Sequence, residues 1–232
     1  MNTQTQTLLL FFLTVLGFAP LYCMQEQALT TTHIQTTTTT CTAGNLYQRT
    51  GPLRLVDGRL CDIETFCNFI SDHAQEIEIL ICPSWIDGST LNEITKKCCN
   101  ISTLSVANCY KLMPETKEKP SDDFALIARL PKLIGLNVAD TKIKQLSLHP
   151  HVQLETLCID RCNNIHFPSL LVCKNLRTLC AALTKLDQPT LDTLLAQCST
   201  KLRLLKLFGC AAFSTSYIQD LRIKGILAFD DL

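Results

Sequence analysis

The chain has 232 residues, 47% of them hydrophobic, and its 21 Lys and Arg residues balance 21 Asp and Glu residues. A chain of this size and composition can bury a sizeable core as one elongated domain. Because phosphate binding needs local positive charge, a neutral chain without a basic cluster argues against nucleic acid as the main partner.

An apolar run begins at Leu8 and ends at Leu21. This run is too short for an ordinary membrane span and has the length of the h-region of a secretory signal. No Lys or Arg precedes Arg49, so the usual positive n-region is missing. We predict a signal peptide over residues 1–23 and a secreted or surface-exposed protein. An uncleaved membrane anchor and a buried helix are the alternatives.

Residues 24–45 form a threonine-rich stretch, with nine threonines between Thr30 and Thr42. This composition buries too little apolar surface to fold, so it predicts a linker. In a secreted protein the threonines could carry O-linked sugars, and an unmodified tether is the alternative.

Folded structure is expected from residue 46. Residues 62–74 carry apolar side chains at helical spacing and predict an amphipathic helix that covers the first end of the domain. Further helices are expected near residues 90–98, 122–130 and 188–197. Thr90 with Glu93 and Ser216 with Gln219 match capping boxes, and Asp187 can cap the last of these three helices. Two prolines and alternating charge predict a solvated loop over residues 113–123.

A leucine template recurs from residue 101 onward and reads L-x-x-L-x-L-x-x-C-x-x-L in its first clear copy, Ile101–Leu112. Each L-x-L core predicts a short strand with its two apolar side chains pointing inward. Taking the second apolar position as the anchor, the anchors are Leu53, Ile77, Leu104, Leu136, Leu157, Leu179 and Leu205. A period of this kind is typical of a solenoid, in which neighbouring turns bury a shared core.

The position five residues after each anchor is expected at the corner where the chain leaves the sheet. A small, half-polar side chain fits this corner and can hydrogen-bond the turned backbone. The corner residues are Cys82, Cys109, Thr141, Cys162, Thr184 and Cys210.

A second cysteine stands three residues before the first apolar position at Cys98 and Cys173, and with one extra residue at Cys198. With this cysteine, roughly residues 50–221 resemble the cysteine-containing leucine-rich repeats of the F-box family of ubiquitin-ligase adaptors. The resemblance implies a curved, non-catalytic binding surface. It concerns the repeats alone, because no F-box is visible in residues 24–75.

We therefore predict an α/β leucine-rich-repeat solenoid of about seven repeats. Its parallel sheet is expected on the concave face, with helices or irregular turns on the convex face. The predicted segments are a signal peptide over 1–23, a linker over 24–45, the repeat domain over 46–221 and a C-terminal tail over 222–232.

Fourteen cysteines in a secreted chain would indicate a disulfide framework. Seven of them, however, occupy repeat positions that small buried side chains fill, which predicts free thiols. Cys41, Cys61, Cys67 and Cys99 remain candidates for one or two bridges near the start. The signal peptide and the cysteine pattern thus indicate different compartments.

Cys158 and Cys180 each lie between the two inward residues of a strand. We expect both on the concave face, on neighbouring strands about 4.8 Å apart. That spacing lies within disulfide range. The two readings are a bridged or reactive pair, and two unpaired thiols in an apolar patch.

No metal, cofactor or catalytic site is predicted. Cys158, Cys162 and His166 could be written as a metal pattern, but Cys158 is expected to point out and Cys162 in. The turn at residues 149–151 carries two histidines without further ligands. No serine, histidine and acid combination has a recognisable signature. Asn100 heads a glycosylation sequon just before a strand, so its occupancy stays open.

The concave face carries the predicted binding site. Its first part is expected to be charged and polar, with Glu76 and Glu78 pointing out. Its last part is expected to be apolar, and such a patch usually marks a contact site. The predicted partner-binding residues are Cys158, Cys180, Ala182, Leu204, Lys206 and Phe208. The alternative is that the C-terminal tail folds back over this patch.

The sequence thus predicts a non-enzymatic recognition module, secreted or surface-exposed, that binds a protein or peptide and needs no cofactor. One alternative is an intracellular or host-delivered adaptor resembling F-box/leucine-rich-repeat substrate receptors of ubiquitin ligases. Another is a thiol enzyme, which would require a cysteine of low pKa. The partner and the oligomeric state stay open.

Overall fold

A computed structural model describes residues 47–50, 53–59, 62–112, 127, 129–144, 146, 148, 153–198 and 201–229. The expected signal peptide, linker and loop over residues 113–123 lie outside the described residues, and the helix near residues 122–130 lies largely outside them. Within the described ranges, no helix is long and apolar enough to cross a membrane.

The described strands form one sheet in chain order. They are β1 Tyr47–Thr50, β2 Leu53–Asp57, β3 Ile79–Ile81, β4 Thr103–Ser105, β5 Gly135–Asn137, β6 Thr156–Cys158, β7 Thr178–Cys180, β8 Leu204–Lys206 and β9 Leu227–Phe229. Strand β1 is antiparallel to β2, and every later pair from β2 to β9 is parallel. This topology is that of a leucine-rich-repeat solenoid, as predicted, in which each turn adds one strand beside the previous one.

The leucine anchors occupy adjacent rungs of the sheet. In successive strand pairs Leu104 lies beside Leu136, then Leu157, Leu179 and Leu205. All five side chains are buried in one continuous hydrophobic core. Each turn therefore depends on its neighbours to remove its apolar face from water.

The predicted anchors at the start of the solenoid are shifted by three residues. Leu80, and not Ile77, lies beside Leu104, and Val56, and not Leu53, lies beside Leu80. Cys82 donates its backbone N–H to the Ser105 carbonyl, as later turns do from the position two residues after the anchor. Cys82 therefore points into the core directly after β3, and the expectation that it fills a corner is wrong. An odd shift also exchanges the two faces of a strand.

In the described residues, four α-helices and one 3-10 helix connect the strands. They are α1 Ile63–His73, α2 Gly88–Lys97, the 3-10 helix Phe167–Val172, α3 Gln188–Cys198 and α4 Thr215–Ile223. Their buried side chains belong to the same core as the anchors, so they cover one face of the sheet. These helices confirm the expected helical segments near 62–74, 90–98 and 188–197. The sequence missed the 3-10 helix.

Helix caps follow the local sequence but not always at the predicted residue. Asp187 accepts the Thr190 N–H at 3.0 Å, as expected. Helix α2 is capped by Asp87 instead of Thr90, and α4 by Ser214 instead of Ser216. In both helices a side-chain oxygen upstream of the predicted cap accepts a free N–H of the first helical turn. The helix therefore begins earlier than the sequence predicts.

The corners are built by a left-handed residue followed by a small hydrogen-bonding one. Positive φ angles of 55–69° occur in five successive turns, directly before the corner residue. These left-handed residues are Asn108, Asp140, Arg161, Leu183 and Gly209. The corner side chain then donates to a carbonyl: Cys162 Sγ contacts Val138 O at 3.0 Å, and Cys210 Sγ contacts Ala181 O at 3.0 Å. A carbonyl turned away from the sheet thereby gains a partner.

Residues that were expected to form a C-terminal tail belong to the solenoid. Residues 222–229 complete α4 and form β9, which pairs edge to edge with β8 instead of folding over the sheet. Leu227 N donates to Arg203 O, and Leu207 N donates to Phe229 O. Because backbone groups alternate sides along a parallel strand, the Ala228 carbonyl points to the outer edge. There it accepts the Arg222 Nε–H at 3.0 Å.

Candidate functional site

The face of the sheet opposite the helices is the candidate binding surface, and we call it the outer face. Its residues alternate along each strand with the core anchors. From β3 to β9 they are Ile79, Ile81, Thr103, Ser105, Gly135, Asn137, Thr156, Cys158, Thr178, Cys180, Leu204, Lys206, Leu227 and Phe229. At β3 the outer face carries Ile79 and Ile81 and is apolar, whereas Glu76 and Glu78, which were expected to point out from this strand, lie before it. Leu80 lies in the core.

Half of the predicted contact residues are buried. Cys158, Cys180 and Ala182 are 0%, 1% and 3% exposed, although none of them belongs to the hydrophobic core on the other side of the sheet. Their direction matches the prediction, and their exposure does not. As the structure stands, these three side chains do not offer a surface to a partner.

A bridge between Asp160 and Lys206 spans β7, the strand that carries Cys180. Lys206 Nζ lies 2.8 Å from Asp160 Oδ2, and both side chains are mostly shielded, with 20% and 13% exposed. Since β7 lies between β6 and β8, the Lys206 side chain must cross β7 near Cys180 and Ala182 to reach Asp160. Its aliphatic stem covers apolar surface while its ammonium group is paired. The second Asp160 oxygen accepts the Ala182 N–H at 2.7 Å.

On the outer face of the described strands, large exposed apolar side chains lie on β9. Leu227 is 62% exposed and Phe229 is 49% exposed. Leu227 is the register partner of Leu204, and Phe229 is the register partner of Lys206. Leu204, Lys206 and Phe208 are half-buried. We call Leu204, Phe208, Leu227 and Phe229 the terminal patch. The sequence predicts the first two members but not the other two, because no periodic pattern marks residues 222–232 as a strand.

Every cysteine in the described residues is a free thiol. Cys67 and Cys99, which were candidates for bridges near the start, are unbridged, while Cys41 and Cys61 lie outside the described residues. Burial raises the pKa of Cys98 to about 11 and that of Cys173 to about 12. Thiols in these positions stay protonated at neutral pH and are therefore weak nucleophiles.

Cys158 and Cys180 are register partners on β6 and β7. The pKa of Cys158 is raised, first by a hydrogen bond with the Cys180 side chain and then by burial. A thiol enzyme needs a cysteine whose pKa is lowered, so this environment does not favour that alternative.

The described residues contain no group of three or more His, Cys, Asp or Glu side chains able to hold a metal ion. Cys162 lies in the core and Cys158 outside it, on opposite faces of the sheet, so the two do not converge. The Asn100 side chain bridges neighbouring turns: its amide donates to Gln75 O at 2.7 Å and its oxygen accepts from Lys132 Nζ at 2.7 Å. A glycan on Asn100 would replace one hydrogen of the amide nitrogen that makes the first of these contacts.

Comparisons with known proteins give only distant likenesses. No family model matches the chain, and no curated protein matches it. Among solved structures, an internalin C2 from Listeria monocytogenes aligns with a TM-score of 0.45 and 18% identity over 69% of this chain and 62% of the other. An internalin designated inlF from the same species aligns with a TM-score of 0.49 and 15% identity over 74% and 44%. The chain thus spans less than two thirds of either structure.

Proposed function

We propose that this chain is a non-catalytic recognition module that binds a protein or peptide on the outer face of its last strands. The observation that carries the proposal is the terminal patch. Two large apolar side chains, Leu227 and Phe229, stand exposed beside half-buried apolar neighbours on a single face. Contiguous exposed apolar surface on a folded protein usually marks a contact site.

Three of the proposed contact residues, Leu204, Lys206 and Phe208, are among those predicted from the sequence. Leu227 and Phe229 are added to them. Cys158, Cys180 and Ala182 would lie beneath this surface, under the Lys206–Asp160 bridge. A bridged cation beside aromatic and aliphatic side chains gives the site an apolar centre with a polar border, which is how protein interfaces are commonly built.

We propose secretion or surface exposure for the chain, with a signal peptide over residues 1–23 and a linker over residues 24–45. We also propose that the repeats are of the cysteine-containing class. In its support, the cysteines at repeat positions are buried, and several donate to backbone carbonyls of neighbouring turns.

A selection from a random peptide library against the full chain would test the proposed site. Selected peptides would then be measured for binding to the wild type, Phe208→Asp and Phe229→Asp. We expect at least a tenfold loss of affinity for both variants, because a carboxylate would have to be desolvated in an apolar contact. Ile223→Asp is the matched control, since Ile223 is also a large exposed apolar residue, 84% exposed, but lies on α4.

Unchanged affinity in Phe208→Asp and Phe229→Asp, with circular dichroism showing both variants folded, would exclude the patch as the binding site. Failure to select any peptide would argue against the recognition module itself.

The intracellular or host-delivered adaptor remains the second candidate, and the free thiols favour it. Disulfides form in oxidising compartments, whereas buried free thiols are usual in reducing ones. Alkylating the denatured protein, purified from its native source, separates the two. Mostly alkylated cysteines favour the adaptor, and mostly bridged cysteines favour a secreted protein.

A further inference from the structure

We propose that Cys158 and Cys180 are a site of reversible disulfide formation on the outer face of the sheet, oxidised by a small-molecule disulfide. The two residues are direct register partners on adjacent parallel strands, and their side chains lie on the same face. Neighbouring strands are about 4.8 Å apart. This separation falls within the range of about 4.4–6.8 Å between the Cα atoms of bridged cysteines.

The side chains of this pair also interact with each other. A hydrogen bond between the Cys158 and Cys180 side chains raises the pKa of Cys158. Direct register partners on one face hold their side chains side by side, so bond formation requires little rearrangement of the backbone.

Other neighbouring thiols are arranged differently. Cys198 Sγ donates to the Cys173 carbonyl at 3.0 Å, and Cys162 and Cys210 donate to carbonyls of earlier turns. Cys173 and Cys198 lie in the hydrophobic core, whereas Cys158 and Cys180 lie on the other side of the sheet. An oxidant therefore does not need to open the core to reach Cys158 and Cys180.

The reaction proceeds by two exchanges. The thiolate of one cysteine attacks the small disulfide, forms a mixed disulfide and releases one small thiol. The second thiolate then attacks the protein sulfur of that mixed disulfide, forms the Cys158–Cys180 bond and releases the other small thiol. Two protein thiols lose two protons and two electrons, and the small disulfide that accepts them becomes two thiols. The reverse sequence restores both cysteines.

The product would join β6 and β7 directly beneath the path of the Lys206 side chain. It closes a loop of about 22 residues, and such a constraint restricts the unfolded chain. Oxidation should therefore raise the urea midpoint of unfolding. This inference does not depend on the proposed binding function.

The test is equilibration of the full chain with glutathione at graded ratios of oxidised to reduced form. It starts once from the folded reduced protein and once from the urea-unfolded protein during refolding, so that burial cannot prevent the reaction. Free thiols are then alkylated and the digest is analysed by mass spectrometry. We expect a cross-linked Cys158–Cys180 peptide, two fewer alkylated thiols, a raised urea midpoint and full reversal by excess reduced glutathione.

Matched variants identify the pair. Cys158→Ala and Cys180→Ala should each abolish the cross-link and the midpoint shift, while Cys173→Ala with Cys198→Ala should keep both. The proposal is overturned by glutathione adducts without a cross-link, by Cys173–Cys198 bridging at a lower oxidant ratio, or by unmodified Cys158 and Cys180 after refolding at every ratio.

Discussion

The middle strands β4–β7 and the last strands β8–β9 present different side chains on the outer face. In the middle, outward residues such as Thr103, Ser105 and Cys158 are small and buried. At the end, Leu227 and Phe229 are large, apolar and exposed. The inward anchors are apolar and buried along both regions. One repeat thus builds a uniform core, while the outward residues alone determine where the sheet is available for contact.

The largest effect should distinguish an inward anchor from an outward residue. Leu157→Ala removes a fully buried side chain from the middle of the core and should cost about 2–5 kcal/mol of unfolding free energy. Leu227→Ala removes a mostly exposed side chain and should change it by less than about 0.5 kcal/mol. Urea unfolding measures both. Equal losses would contradict the division between core and outer face.

A smaller effect on stability is expected from a substitution that opens the middle of the outer face. Asp160→Asn removes the charge that pairs with Lys206 and should cost about 1.5–3 kcal/mol, because hydrogen bonds to charged groups are the stronger ones. Without this pairing, the Lys206 side chain should move away from β7 and leave that strand exposed. Native Cys180 should then react faster with a small alkylating reagent.

Lys206→Met is the control for that experiment, since it keeps most of the aliphatic stem but not the charge. It should slow labelling relative to Asp160→Asn. Equal labelling of wild type and Asp160→Asn would show that the bridge does not cover Cys180.

The smallest effect compares two glycines in the last turns. Gly209 and Gly225 both have positive φ, 69° and 82°, so alanine at either position should cost about 1–2 kcal/mol. A Cβ on Gly209 would meet Leu183 Cδ2 at 2.3 Å, whereas a Cβ on Gly225 meets nothing within 4 Å. Gly209→Ala should therefore lower the free energy of unfolding by about 1 kcal/mol more than Gly225→Ala, because Leu183 must leave its rotamer. Equal urea midpoints for the two variants would refute this packing.

Much of the fold follows from the sequence, because the anchors Leu104 to Leu205 stand in an unambiguous template. The inward residues of β3 were predicted wrongly because its surroundings form a continuous apolar run: Ile77, Ile79, Leu80, Ile81 and Cys82. Such a run does not specify which alternate residues face the core. Pairing with the strand of Leu104 decides which residues of β3 face the core, and the sequence of β3 alone does not contain that pairing.

The candidate site was predicted only in part. The bridge that spans β7 joins Asp160 and Lys206, which are 46 positions apart in the sequence. No local sequence pattern predicts a contact between residues so far apart. Strand β9 was missed because its inward residue is Ala228, which is too small to register as an anchor, and because no further template copy follows it in the sequence.

The guanidinium of Arg222 lies at the outer edge of β9, the last strand in the part of the sheet that the structure describes. A parallel sheet whose last backbone carbonyl were open could recruit another chain and grow into filaments. With Arg222 donating to Ala228 O, an incoming strand would first have to displace a charged hydrogen bond. Polymerisation through this edge is thereby disfavoured, while the apolar side chains beside it stay accessible.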